Sequence, residues 1–122
     1  MAVDIPARIS RSFYEGYAND TLWPLLHGFP TRTVFAPESW SAYSDANQRF
    51  ADAVLERHRK NDLIWAHDYQ LMLVPQMIRD GAPDARIGFF LHIPFPSSEV
   101  FRILPEREPL LRGMLGADSL AF

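Results

Sequence analysis

The period of the hydrophobic pattern changes part-way along the chain. Up to about residue 61 the apolar positions recur every three or four residues, and beyond it they gather into short unbroken runs. In "SFYEGYAND" (12–20), Phe13, Tyr14, Tyr17 and Ala18 share helical spacing, and Asn19 and Asp20 read as stop or cap residues. "TLWPLLHG" (21–28) follows, with Pro24 in a first turn and Gly28 as terminator. "FPTRTVFAP" (29–37) has no period and reads as loop. The clearest helix is predicted over 38–60. Trp40, Tyr43, Ala46, Asn47, Phe50, Ala53 and Val54 fall on one face of it, with Pro37 just ahead. Its end, "ERHRKND", places cations where the helix dipole favours them.

After residue 61, "LIWAH" (63–67) and "RIGFFLH" (86–92) read as buried strands. "LMLVPQMIRDG" (71–81) reads as a helix ending at Gly81, with Pro75 in its first turn; deeper inside, a proline would cost about 3 kcal/mol. Residues 98–118 are one or two helices split near Pro105, and "SLAF" (119–122) begins a third strand. Alternation of apolar strands with helices predicts an α/β fold, a parallel Rossmann-like sheet covered on both faces. The organisation expected is a single unit over 1–122, mainly helical over 1–61 and strand–helix–strand–helix–strand over 62–122.

A chain of 122 residues, 48% hydrophobic, can bury roughly 65% of its unfolded surface in one core. The net charge of -3 leaves no electrostatic footprint for nucleic acid. The absence of cysteine excludes disulfides, zinc–thiolate sites and thiol nucleophiles. Asp4 and Pro6 interrupt the first residues, so no apolar signal-peptide core forms there. The longest apolar run falls far short of the roughly 20 residues of a membrane span. These features predict a cytoplasmic protein with neither a membrane nor a nucleic-acid partner.

Open parallel sheets bind ligands outside the carboxyl ends of their strands. His67 and Asp68 follow the first predicted strand and His92 follows the second, so neighbouring strands would bring Asp68 and His92 to one crevice. Pro94 and Pro96 push the residues before them into extended backbone and stiffen the loop after His92. The next free amides, at Ser97 and Ser98, stand at a helix start, where an anion or a sugar oxygen is welcome. Each residue also has a structural explanation. Asp68 suits the N-cap of the 71–81 helix, His92 a satisfied hydrogen-bonding role, and His67 a structural or partly exposed one. Trp65 and Tyr69 suit the core, and Tyr14 and Trp23 can simply pack. A metal hydrolase built on His67, Asp68 and His92 is disfavoured, because adjacent strand residues point apart and no fourth ligand is evident.

"NDTLWPLLHG", "LIWAHDYQLMLVPQMIR" and "RIGFFLHIPFPSSEVFRILPEREPLLRGMLGAD" resemble the trehalose-6-phosphate synthases, glycosyltransferase family 20, over about residues 13–122. The resemblance implies part of the N-terminal, acceptor-side domain of a GT-B enzyme with two facing Rossmann-like domains. It implies transfer of glucose from a nucleotide-glucose, commonly UDP-glucose, to glucose 6-phosphate, with retention and without a metal or other cofactor. Tyr14 resembles a tyrosine that helps hold the acceptor phosphate, and Trp23 the tryptophan lining the glucose 6-phosphate pocket. Asp68 resembles the aspartate that bonds sugar hydroxyls, and His92 the histidine beside the transferred glucose. Attack from the front face, helped by the leaving phosphate oxygen, needs no enzyme nucleophile. Asp68 and His92 then position and stabilise. The implied partner is a C-terminal nucleotide-binding domain that this chain lacks; full-length members can form homo-oligomers. The chain is accordingly expected to be a fragment that is inactive alone. Alternatives are a family member with another acceptor, such as glycerol 3-phosphate in glucosylglycerol-phosphate synthases, and a non-catalytic sugar-phosphate-binding or regulatory subunit.

Overall fold

In the computed structural model, which describes residues 2–122, one continuous helical rod runs from Ala7 to Leu26 in three registers. It begins as α1 (Ala7–Arg11), widens to π-helix over Ser12–Leu22 and closes as α2 (Trp23–Leu26). Asn19 and Asp20 do not stop it. The wider i→i+5 register carries the backbone through them. Gly28 terminates it as expected, at φ 78, with its N–H on Leu25 O (3.0 Å) and the Phe29 N–H on Pro24 O (2.7 Å). That pair of bonds is the Schellman motif, which only a left-handed residue completes without strain. A single 3₁₀ turn, Pro30–Arg32, interrupts the loop that follows.

The long helix α3 (Pro37–Arg57) takes Pro37 as its first residue and stops short of the predicted Lys60. The Asp62 carboxylate accepts the Arg59 N–H at 2.8 Å, and this local turn outcompetes further helix. The chain then enters β1 (Leu63–His67), a 3₁₀ turn at Tyr69–Leu71, and α4 (Val74–Gly81), with Pro75 in the first turn of α4 as predicted. Next come β2 (Arg86–Phe90), the one-turn α5 (Ser98–Phe101), α6 (Arg107–Leu115) and β3 (Ser119–Ala121). β2 ends two residues before the predicted His92, because its partner β1 turns away at Asp68.

The sheet is parallel with order β1-β2-β3, and Leu63 pairs with Arg86 and His67 with Phe90. Ala66, Ile87 and Phe89 are buried on the face covered by the helices. The opposite face is open among the described residues, which corrects the expectation of a doubly covered sheet. Leu63 and Trp65 are 60% and 50% exposed, so β1 is not a buried strand and Trp65 is not a core residue. Trp65 instead lies over its register partner Gly88, where an added Cβ would come within 2.6 Å of the indole.

α4 and α6 meet backbone to backbone. A Cβ on Gly116 would collide with the main chain of Gln76 and sit 2.7 Å from the Pro75 carbonyl carbon. Gly116 has helical φ -66, so alanine there fits the backbone and gains about 1 kcal/mol of helix propensity. The collision costs more, about 3 kcal/mol, because backbone cannot swing aside as a side chain does. Gly116→Ala is therefore expected to lower stability by about 2 kcal/mol, read from the urea midpoint at unchanged slope. A neutral result would mean that α4 and α6 sit further apart.

Candidate functional site

The carboxyl end of the sheet is shaped by what happens at Asp68. Its N–H still donates to Phe90 O (2.8 Å), continuing the β1–β2 ladder by one residue. Its backbone then takes φ 71, ψ 174, a region populated essentially by glycine alone, at a cost of about 1–3 kcal/mol. The Asp68 carboxylate accepts the Tyr69 N–H at 3.0 Å, so it caps the 3₁₀ turn directly after it rather than α4 itself.

Such strain persists only where surrounding groups dictate it, and two residues of α3 do so. The Tyr43 hydroxyl donates to Tyr69 O (2.7 Å) and accepts the Met72 N–H (3.1 Å). The fully buried Asn47 donates to Gln70 O (2.9 Å) and to Tyr43 O (2.9 Å), and its Oδ1 accepts the Leu73 N–H (3.2 Å). The backbone from 69 to 73 is thus clamped onto α3. Burial drives the pKa of the Tyr43 hydroxyl far upward, so it stays neutral and bonds in both directions.

Tyr69 is buried as expected, yet it also organises the site. Its hydroxyl donates to Asn19 Oδ1 (3.2 Å) on the π-helix, and its ring lies 5.5 Å from Trp23. Burial, with Tyr14 and Asp68 acting on it through space, raises its pKa. Tyr14 and Trp23 do not pack into the core; they are 51% and 45% exposed. Trp23 packs against both Tyr69 and His27, its centroid 3.8 Å from the His27 ring. An indole held this way presents an apolar wall to solvent.

His92 is exposed and does not bond Asp68. Its Nε2 lies 3.0 Å from Nδ1 of His67, and the two rings meet edge to edge, 21° from parallel, with centroids 5.2 Å apart. Phe90 lies 4.6 Å from the His92 ring. His67, expected to be structural or partly exposed, is exposed and is the direct partner of His92. After the prolines, Ser97 Oγ takes the Val100 N–H (3.4 Å) as the cap of the single turn of α5. Among the described residues no group of three or more His, Cys, Asp or Glu side chains converges in metal-binding geometry. A concavity of about 450 Å³ lies elsewhere, beside Leu63, Trp65, Arg86, Gly88 and Ser119. The sequence reading missed Asn19, Tyr43, Asn47 and the pairing role of His67. A signal existed only for Asn47, an amide in the middle of the apolar face of the predicted helix.

The family model described as glycosyltransferase family 20 matches residues 1–122. The chain belongs to glycosyltransferase family 20. Within that family it is 48% identical, over 120 residues, to an α,α-trehalose-phosphate synthase [UDP-forming] of Aspergillus niger, covering 94% of this chain and 25% of that protein. It is 51% identical over 116 residues to a trehalose synthase complex regulatory subunit of Saccharomyces cerevisiae, covering 92% of this chain and 11% of that one. A crystal structure of a UDP-forming α,α-trehalose-phosphate synthase from Burkholderia xenovorans in complex with glucose-6-phosphate superposes with TM-score 0.90 at 34% identity, over 95% of this chain and 26% of that chain. This family 20 chain thus spans a quarter or less of the length of these curated relatives. Among the described residues no helix is long and apolar enough to cross a membrane.

Proposed function

We propose that this chain forms part of the acceptor side of a retaining, UDP-glucose-dependent trehalose-phosphate synthase, with glucose 6-phosphate as the acceptor. The observation that carries this reading is the juxtaposition at the sheet's carboxyl end. Asp68 is held in a glycine-like conformation, its neighbour Tyr69 lies against the exposed Trp23, and His92 stands two residues beyond the end of the next strand. Carboxylates and imidazoles recognise sugar hydroxyls, and an aromatic face accepts the C–H side of the ring. In this reading Trp23 walls the acceptor sugar and Tyr14 donates to its phosphate. Asp68 accepts hydrogen bonds from sugar hydroxyls and offers negative charge to an oxocarbenium-like transition state. His92 contacts the transferred glucose.

Departure of UDP requires cationic groups on the diphosphate, and in this reading a nucleotide-binding domain outside residues 1–122 provides them. These 122 residues by themselves then catalyse no transfer, and the site works in the cytoplasm. The identity to a regulatory subunit supports a second reading, a non-catalytic sugar-phosphate-binding role. Transfer restored by adding a family 20 nucleotide-binding domain would favour the first reading over the second.

Binding is testable on the chain itself. Glucose 6-phosphate is expected to quench tryptophan fluorescence saturably. Trp23→Phe should remove most of the signal, and Asp68→Gly should weaken binding at least about tenfold, the equivalent of about 1.4 kcal/mol. Glycine suits φ 71, so Asp68→Gly removes the carboxylate without straining the turn. Equal affinity in wild type and Asp68→Gly would exclude Asp68 from the acceptor site.

A further inference from the structure

The His67–His92 contact determines more than a ring orientation. A hydrogen bond at 3.0 Å between His67 Nδ1 and His92 Nε2 needs one proton between the two nitrogens, neither more nor fewer. With both rings neutral, His92 Nε2–H donating to His67 Nδ1 leaves each ring in its Nε2–H tautomer, the form that free histidine side chains prefer. The other nitrogen of His92, Nδ1, is then a bare lone pair. If His67 takes up a proton its Nδ1 becomes a donor, and His92 keeps the bond only by accepting at Nε2. Its own proton then moves to Nδ1, and the free nitrogen becomes a donor. If both rings are protonated there are two facing donors and no acceptor, so the pair separates.

We propose that His67 is a positioning residue for His92, setting whether the free His92 nitrogen accepts or donates a hydrogen bond. The proposal rests on the sugar-site reading only for its consequence: the free nitrogen is the atom left to meet a sugar hydroxyl. The surroundings leave the pair to itself. The rings against it are Trp65 on β1, 5.8 Å from His67, and Phe90 on β2, and both are uncharged. Asp68, the adjacent carboxylate, is turned to the Tyr69 N–H. Among the described residues no carboxylate lies within ion-pair distance of either imidazole.

The test is long-range ¹H–¹⁵N NMR of the histidine side chains, at one fixed alkaline pH, in the wild-type chain, His67→Phe and His67→Asn. In wild type His92 is expected as the Nε2–H tautomer. His67→Phe keeps a ring against His92 but removes the nitrogen, so His92 should show mixed tautomers. His67→Asn offers an amide oxygen near the Nδ1 position and should restore the Nε2–H tautomer. His67 is exposed, so both variants are expected to fold, and their backbone amide spectra serve as the check. A His92 tautomer unchanged in both variants would overturn the proposal. No sugar is present, so that outcome leaves the acceptor-site reading intact, and failure to bind glucose 6-phosphate leaves the His67 assignment intact.

Discussion

Asn47→Ala is expected to destabilise the chain by about 4 kcal/mol, a large fraction of the 5–15 kcal/mol of a typical domain. The substitution removes three hydrogen bonds at once, two from Nδ2 and one to Oδ1; those to Tyr43 O and from the Leu73 N–H are buried and that to Gln70 O is part-buried. Tyr43 O belongs to α3 and loses least. Gln70 O and the Leu73 N–H lose a partner between α3 and the turn after β1, and each group left without one costs about 1–3 kcal/mol. A small cavity adds to this. Gln48→Ala on the same helix is the control. Its side chain bonds only the exposed Asp52 (2.9 Å), and its loss should stay within about 0.5 kcal/mol. Urea unfolding of both variants checks the difference; a loss below about 1 kcal/mol for Asn47→Ala would mean the clamp is not formed in solution. The consequence reaches the site. With Gln70 and Leu73 released, only the Tyr43 hydroxyl still ties this backbone to α3, so Asp68 is held less firmly at φ 71, and the proposed glucose 6-phosphate binding should weaken along with stability.

The clamp also shows what a sequence of this kind discloses and what it conceals. The parallel strands, the long helix and the early position of Pro75 were legible because period and proline chemistry act locally. Gly28 was legible for the same reason, since a helix end needs a residue that tolerates positive φ. The motifs around Asp68 and His92 directed attention to the carboxyl end of the sheet, where the structure does bring Tyr69, Asp68 and Trp23 together. Three things were not legible. Asn19 and Asp20 look like stop residues, but the π-helical register passes through them, with Phe13, Tyr17 and Ala18 buried in the core. Leu63 and Trp65 have the composition of buried strand residues; their exposure depends on which elements cover β1, a property of topology. His67 pairs with a residue 25 positions away, and no local pattern reports a contact of that range.

Arg79→Met should cost about 3 kcal/mol and make the acid sensitivity of the fold smaller. Arg79 reaches from α4 to four acceptors: Gly116 O (3.2 Å), Pro83 O and Ala85 O (both 2.6 Å), and Asp118 Oδ1 (2.9 Å). One guanidinium therefore ties the segment entering β2 to the segment entering β3. Methionine keeps the aliphatic stem but none of the donors, so three carbonyls and a carboxylate lose a charged partner, each partly offset by water because the side chain is 23% exposed. Asp118 accepts the Ile87 N–H at 2.8 Å as well. That bond is the main cause holding its carboxyl below the ordinary range; desolvation opposes it, and the Arg79 guanidinium adds to the lowering. A depressed folded pKa gives stability that is fully present above the unfolded carboxyl value of about 3.9. It is lost as the pH falls from there through the lower folded value. Thermal melting followed from about pH 6 to about pH 2.5 should show wild type losing more than Asp118→Asn across the acid end. Arg79→Met should lie between them, since it removes only the guanidinium's share. If Asp118→Asn and wild type lose the same amount, Asp118 does not tie β2 to β3. If Arg79→Met melts at the wild-type temperature at pH 6, the four bonds of Arg79 are not made.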